Sequence, residues 1–340
     1  MIRWQSVLIG CILGGLLCCG EGQGQEEIDV SPPGEKGKPP RVEVGIFVLD
    51  VDTIDTVNQS FEANVFVLCR WKDPRLAHNA GQRITKPLTQ VWHPRLFFAN
   101  QQRLWPSFPE VVTIRPDGTV SYRQRVWGNF SQPLRLRDFP FDRQTFTIQL
   151  ASGGYSTDEL ELVCLAGNKH GIASALSVPD WDLTKWQVHA QPYTPVPGEP
   201  GVAGFAFTFK MERRVGYYVI KVIIPLILIV AMSWAVFWID PKEAGTNISV
   251  SVTAMLTLIA YRFAVGNSLP DISYLTRLDY FILGSTIIVF CSLVQVVLTN
   301  TLVNKGELER ARKLDRWSRL IYPLAFVLVC FESLVFRFGL

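Results

Sequence analysis

The stretch ISVSVTAMLTLIAYRFAVGN, residues 248–267, decides how the rest of the chain is read. Ser249, Thr253, Leu256, Ala260, Phe263 and Asn267 recur in it at alternating steps of four and three. That spacing aligns all six on one face of a helix. The other faces carry Ile248, Val250, Val252, Met255, Leu258 and Ile259. Hydrocarbon offers a hydroxyl no partner, so a helix at bilayer depth with hydroxyls along one side lines water. One helix encloses nothing, so several copies must stand around an axis.

The flanking sequence supports a membrane setting. Four apolar segments lie near 217–238, 248–266, 279–303 and 318–338. Each approaches the ~20 residues that cross a bilayer. Residues 215–340 therefore read as a transmembrane four-helix domain. Pro225 and Pro323 fall inside spans and read as structural, since neighbours or water can satisfy the freed carbonyls. The link from Asn304 to Ser318 holds Lys305, Arg310, Arg312, Lys313 and Arg316, which predicts a cytoplasmic loop.

At the other end, residues 1–25 read as a secretory signal. Arg3 starts it, Val7 to Cys18 form its apolar core, and a polar stretch follows Gly20. A signal, four crossings and a basic third link agree on one topology. It is a multi-pass protein of the plasma (inner) membrane, with the amino-terminal domain extracellular or periplasmic.

Residues 26–40 are rich in Gly, Pro, Glu and Lys, and read as a disordered leader. From 41 to 214 the texture is short alternating runs between turn residues, such as Val42 to Val48 and Thr145 to Leu150. That pattern predicts an immunoglobulin-like β-sandwich of about ten strands.

Composition excludes several classes. The net charge is only +3 over 340 residues and the basic residues are dispersed, so no nucleic-acid partner is implied. The four histidines, His78, His93, His170 and His189, have no metal-ligand spacing, and no serine or cysteine sits in a nucleophile motif. No enzyme, cofactor or metal is expected. Of seven cysteines, only Cys69 and Cys164 fall in the sandwich segment. Two are too few for a disulfide scaffold, and spacing does not say whether they pair. A non-conducting surface receptor anchored by a helical bundle is the rival reading. It would have an apolar second span, and Ser249 and Thr253 argue against it.

Ordered motifs add a resemblance. They are Trp71-x-Asp73-x-Arg75-Leu76, Trp92-x-Pro94 followed by Asn100, and Phe139-Pro140-Phe141-Asp142-x-Gln144. Further on come Arg213-Arg214 with Tyr217-Tyr218 and Pro225, then Leu269-Pro270. Together they resemble the pentameric ligand-gated ion channels, the Cys-loop receptor superfamily, over nearly all of 41–340. Two departures stand out. The signature loop's cysteines would fall at Gln132 and Phe146, so its disulfide is absent. The third link is also short. Both departures resemble the prokaryotic branch.

The resemblance implies a homopentamer whose second helices line an ion pore, with Leu256 as an apolar ring and Phe263 as a bulkier one. It sets Glu243 near the glutamate ring of cation-selective members, although two extra residues separate it from Ser249. Monovalent cations are then the permeant ions, and the lipid bilayer is the setting. Agonists of the family bind between outer domains in an aromatic box. By position this box draws on Phe66, Asn100, Arg103, Tyr122, Trp127, Tyr155, Trp186, Tyr193 and Phe205. Gly153 stands where many animal members carry a tryptophan.

The agonist stays open between an amine, which aromatic faces attract, and an organic acid, which Arg95, Arg103, Arg123 and Arg125 would suit. Protons acting through Asp50, Asp52 and Asp55 are a third alternative. Asp142, Arg213 and Pro270 correspond to the family's coupling residues between the sandwich and the membrane helices.

Overall fold

The computed structural model describes residues 30–34, 37–167, 169–266 and 272–335. The signal reading, part of the leader, Asn267 and Pro270 lie outside the described residues.

The first half folds into strands β1 (Arg41–Asp55), β2 (Ser60–Lys72), β3 (Ile84–Pro87), β4 (Leu96–Phe98), β5 (Gln101–Pro106) and β6 (Val111–Ile114). It continues with β7 (Thr119–Ser131), β8 (Arg143–Ser156), β9 (Glu161–Cys164), β10 (Gly171–Ile172), β11 (Trp181–Ala190) and β12 (Val202–Arg213). One sheet runs β10-β1-β2-β7-β6-β3, with β5 also on β7 and β9 also on β1. The other runs β11-β12-β8-β4. The expected sandwich is therefore present, with two short strands added along the edge of β1.

Strict alternation drives it. Along β2, Phe61, Ala63, Val65, Val67, Cys69 and Trp71 are buried while the residues between them are not. Phe61 stacks on Phe130 at 5.3 Å and meets Phe146 edge-on at 5.2 Å, which ties the two sheets together. Offset and edge-on ring pairs add to simple area burial. Cys69 and Cys164 both pair with Val44, from opposite sides of β1. Two strand spacings, roughly 9–10 Å, separate them, beyond disulfide reach, and both are free thiols. Burial pushes the Cys69 thiol up to about 12.

Four helices long and apolar enough to cross a membrane follow: Gly216–Trp238, Ala244–Gly266, Arg277–Asn304 and Leu308–Leu334. The first widens into a π-helical turn at Val219–Ile223, just before Pro225. Proline cannot donate to the carbonyl four residues back. Tyr261 of the second helix supplies the donor, at 3.3 Å from the Lys221 carbonyl and 2.7 Å from that of Val222. The third helix opens on a capping box, in which Asp279 N–H donates to Thr276 Oγ1 and Thr276 N–H to Asp279 Oδ2.

The fourth helix begins ten residues earlier than its apolar stretch suggests, so the basic link is helical from Leu308. Ion pairs one turn apart, Glu307 with Arg310 and Glu309 with Arg312, suit a solvated helical start.

Candidate functional site

The second helix has two unlike faces. Asn247, Ser251, Ala254, Leu258 and Val265 are buried against the other helices. Ser249, Thr253, Leu256, Ala260 and Phe263 are exposed, with Leu256 at 61% and Phe263 at 78%. The stripe picked out by periodicity therefore points away from the protomer's own bundle. The small groups Ser251 and Ala254 on the buried face allow close helix approach.

Thr253 donates its hydroxyl proton to the Ser249 carbonyl at 2.7 Å, and Thr257 donates to the Thr253 carbonyl at 2.8 Å. Their protons are committed to the backbone, so at Thr253 the oxygen's lone pairs remain for whatever lies along the stripe.

At the foot of this helix Asp240, Lys242 and Glu243 are all exposed. Asp240 organises the turn, accepting from Lys242 N–H through its carboxylate and from Glu243 N–H through its carbonyl. The helix proper starts at Ala244.

The junction between sandwich and bundle centres on a buried ion pair. Arg213 Nε lies 2.7 Å from Asp142 Oδ1, with side chains 6% and 1% exposed. Gln144 donates a further hydrogen bond to Asp142 at 2.8 Å. The guanidinium also lies over Trp181 at 4.2 Å and over Phe139 at 4.9 Å. A desolvated pair held on several sides sets register more than it adds net stability.

Three contacts unforeseen from the sequence tie the same loop to the third helix and the segment before it. Arg277 pairs with Asp138 at 2.9 Å, Leu136 N–H donates to the Tyr274 hydroxyl at 3.0 Å, and Arg277 N–H donates to the Arg137 carbonyl. Only the charges of Asp138 and Arg277 hinted at this, and they are far apart in sequence.

The proposed box residues divide between the two sheets. Phe66 and Trp127 stand on the outward face of the first sheet, where Arg103, Arg123 and Arg125 are exposed. Trp105 joins them, 5.1 Å from Trp127. It lies two residues beyond Arg103 on β5, and that spacing alone puts both on one face. Trp127 Nε1 donates to Asp52 at 3.2 Å. Trp186, on the second sheet, is exposed and stacks on Phe207 at 5.7 Å. Tyr193 pairs with Val202 at the start of β12. The Tyr155 hydroxyl accepts from Trp92 at 2.8 Å. Within one chain the two halves stand on different sheets of the sandwich.

Three box assignments are corrected. Phe205 is 0% exposed and packs in the sandwich core. Asn100 binds backbone on three sides: its amide donates to the Ser131 and Thr147 carbonyls, and its carbonyl accepts from Gln149 N–H. Tyr122 lies an odd number of residues from Trp127 along β7, so it turns to the opposite face, opposite buried Cys69.

The three aspartates have different hydrogen-bond partners. Asp50 accepts from Ser177, and Asp55 caps its turn through Val57 and Asn58 N–H. Hydrogen bonds from Asn58 hold the Asp55 carboxyl below its ordinary range. Burial and then the Asp50 charge push that of Asp52 up.

Comparison with known proteins agrees with this layout. A family model described as the neurotransmitter-gated ion-channel ligand binding domain matches residues 27–215. A second, the neurotransmitter-gated ion-channel transmembrane region, matches 222–310. Glycine receptor subunit beta from Rattus norvegicus, Mus musculus and Homo sapiens is in each case 30% identical over 297 residues, covering 82% of this chain. The match covers 59% of the length of these relatives.

Proposed function

The chain belongs to the neurotransmitter-gated ion-channel family, and on that footing we propose that it forms a homopentameric channel opened by a small amino acid and conducting monovalent cations. The observation that carries this reading is the exposed hydroxyl-bearing face of the second helix, turned away from its own bundle. Five such faces around an axis would line a hydrated path, with Leu256 as an apolar ring able to close it by dewetting.

Cation passage is supported by two features. The back-bonded Thr253 leaves its oxygen lone pairs for a passing ion. The inner turn also carries two carboxylates, Asp240 and Glu243, against one ammonium, Lys242. Rings of carboxylates concentrate cations. A second reading comes from Lys242, which stands seven residues before Ser249 and would join the stripe if the helix extended two turns downward. Lys242 would then select anions. The helix start at Ala244 favours the first reading.

An agonist with both an amine and a carboxylate suits the two half-sites. Indole faces at Trp127, Trp105 and Trp186 attract a cation by ~0.5–2 kcal/mol each. Arg103, Arg123 and Arg125 can pair with a carboxylate. The relatives' name mentions glycine, which has both groups. Shifting a closed:open ratio from 99:1 to 1:99 takes ~5.5 kcal/mol, about 1.1 kcal/mol per subunit over five. Contacts of this size suffice.

The test is recording from oocytes that express the chain, during steps of amino acids, amines, organic acids and pH. We expect amino-acid-evoked current whose reversal potential follows sodium. Glu243→Gln should weaken that dependence, and Lys242→Gln should not. Trp127→Ala should raise the half-maximal agonist concentration roughly 3–30-fold. Reversal that follows chloride, and loses that dependence in Lys242→Gln, would overturn cation selectivity. Current evoked by acid alone would overturn the amino-acid agonist.

A further inference from the structure

The end of the bundle far from the sandwich holds buried polar groups that neither the pore face nor the junction uses. Asn247 of the second helix is 6% exposed. Its Nδ2 donates to the Asp240 carbonyl at 3.1 Å, which sets the amide's orientation. Its Oδ1 is buried with no partner. Asn300 of the third helix likewise has a buried Oδ1 with no partner. Asp315 of the fourth helix is 5% exposed, and its Oδ1 accepts from Thr299 at 3.0 Å. Asn247, Thr299, Asn300 and Asp315 line one cavity, with apolar walls from the end of the first helix and from Val296. Its volume is about 10 Å³, close to the least that holds a single water-sized occupant.

The charge balance of this cavity is incomplete. Among the described residues no ion pair reaches Asp315, and the donors beside its carboxylate, Thr299 and Gln295, are neutral. Arg316, the next residue, is exposed, and Arg319, one turn on, donates to the Phe237 carbonyl at 2.9 Å and lies over the Trp238 ring, so its charge acts on Asp315 without a direct contact. A buried carboxylate with no counter-charge in direct contact is costly. Two unpartnered amide oxygens add to that cost. One water could donate to both amides but would bring no positive charge to the carboxylate. A hard monovalent cation answers both deficits, since its preferred ligands are oxygens. A lone carboxylate falls short of the charge that divalent sites collect.

We propose that this cavity binds one monovalent cation of sodium size, held by the Asp315 carboxylate and the side-chain carbonyl oxygens of Asn247 and Asn300. The site lies off the conduction path, so it does not depend on which ion the pore passes. It joins three helices, and Asn247 is only two residues from Ser249. An occupied site would therefore brace the foot of the pore helix against the third and fourth helices.

The experiment compares thermal unfolding of the purified full-chain assembly in sodium chloride and in N-methyl-D-glucamine chloride at equal ionic strength. A ligand that binds only the folded state raises the midpoint. Sodium should raise the wild-type midpoint by about 2–4 °C, and Asp315→Asn should abolish that rise. Asn300→Ala keeps the carboxylate and removes one ligand. It should shift the sodium concentration for half the effect upward by about tenfold, and it decides the matter if Asp315→Asn fails to assemble. Equal wild-type midpoints in the two salts would overturn the proposal and leave water as the cavity's occupant. A sodium response unchanged in both variants would overturn it too, by assigning the effect to another site.

Discussion

In the sandwich the large buried side chains include Phe61, Phe130, Phe146, Phe205, Phe207 and Phe209, and the outward positions of β7 carry Arg123 and Arg125. In the bundle the outward positions include Leu320 and Leu324, at 71% and 72% exposed, while Ser233, Ser251, Ser285, Ser292, Thr299 and Asp315 are buried. The solvent explains the inversion. Water drives apolar groups together in the sandwich. Hydrocarbon tails are as apolar as leucine, so the helices rely on small residues and internal polar contacts for their fit. The second helix breaks the bundle's rule along one stripe, Ser249 to Phe263, and that exception is the face proposed to line the pore.

The strongest test of this contrast pairs Phe205→Ala with Leu324→Ala. The first should destabilise the assembly by about 3–5 kcal/mol, because it opens a cavity in a packed core. The second should stay within roughly 0.5 kcal/mol in a lipid nanodisc. Comparable losses in thermal midpoint would mean that Leu324 is covered by protein rather than lipid.

A smaller effect separates binding from scaffolding. Asn100→Ala leaves two carbonyls and one N–H without their partner, at about 1–3 kcal/mol for a buried group. We expect lower surface expression and a lower midpoint, with the half-maximal agonist concentration of the surviving channels unchanged. A large agonist shift with full stability would return Asn100 to the agonist site.

The smallest effect lies in the β1–β2 turn. The Asp55 carboxyl sits below its ordinary 3.8 in the folded chain, so its contribution is complete above 3.8 and fades as pH falls through the folded value. Asp55→Ala should flatten the stability decline on the acid side of 3.8, by under about 0.5 kcal/mol at this exposed site. An identical acid limb in the variant would show that the turn does not need that carboxylate.

The residues that could be read in advance are those governed by local repeats. Alternation marked out strands of the sandwich such as Val42 to Val48 and Thr145 to Leu150, and apolar length lay within a few residues of three of the four helices. The fourth began earlier because ion pairs, not apolarity, carry its first turns. Reading the box by correspondence misplaced Phe205 and Tyr122, although counting residues along β7 would have flagged Tyr122. Asn100 could not have been assigned, since its partners Ser131, Thr147 and Gln149 come from other strands.

By itself the chain determined the order and kind of the helices and longer strands, and that one helix carries hydroxyls along a single side. Those are consequences of backbone repeat, 3.6 residues per turn against 2. Only the tertiary structure decided which side of that helix its own bundle covers, that Tyr261 supplies the donor Pro225 lacks, and that Asp138 meets Arg277 at the head of the third helix. A repeat sets spacing along an element, but its phase and its partners depend on segments that meet only when the whole chain has packed.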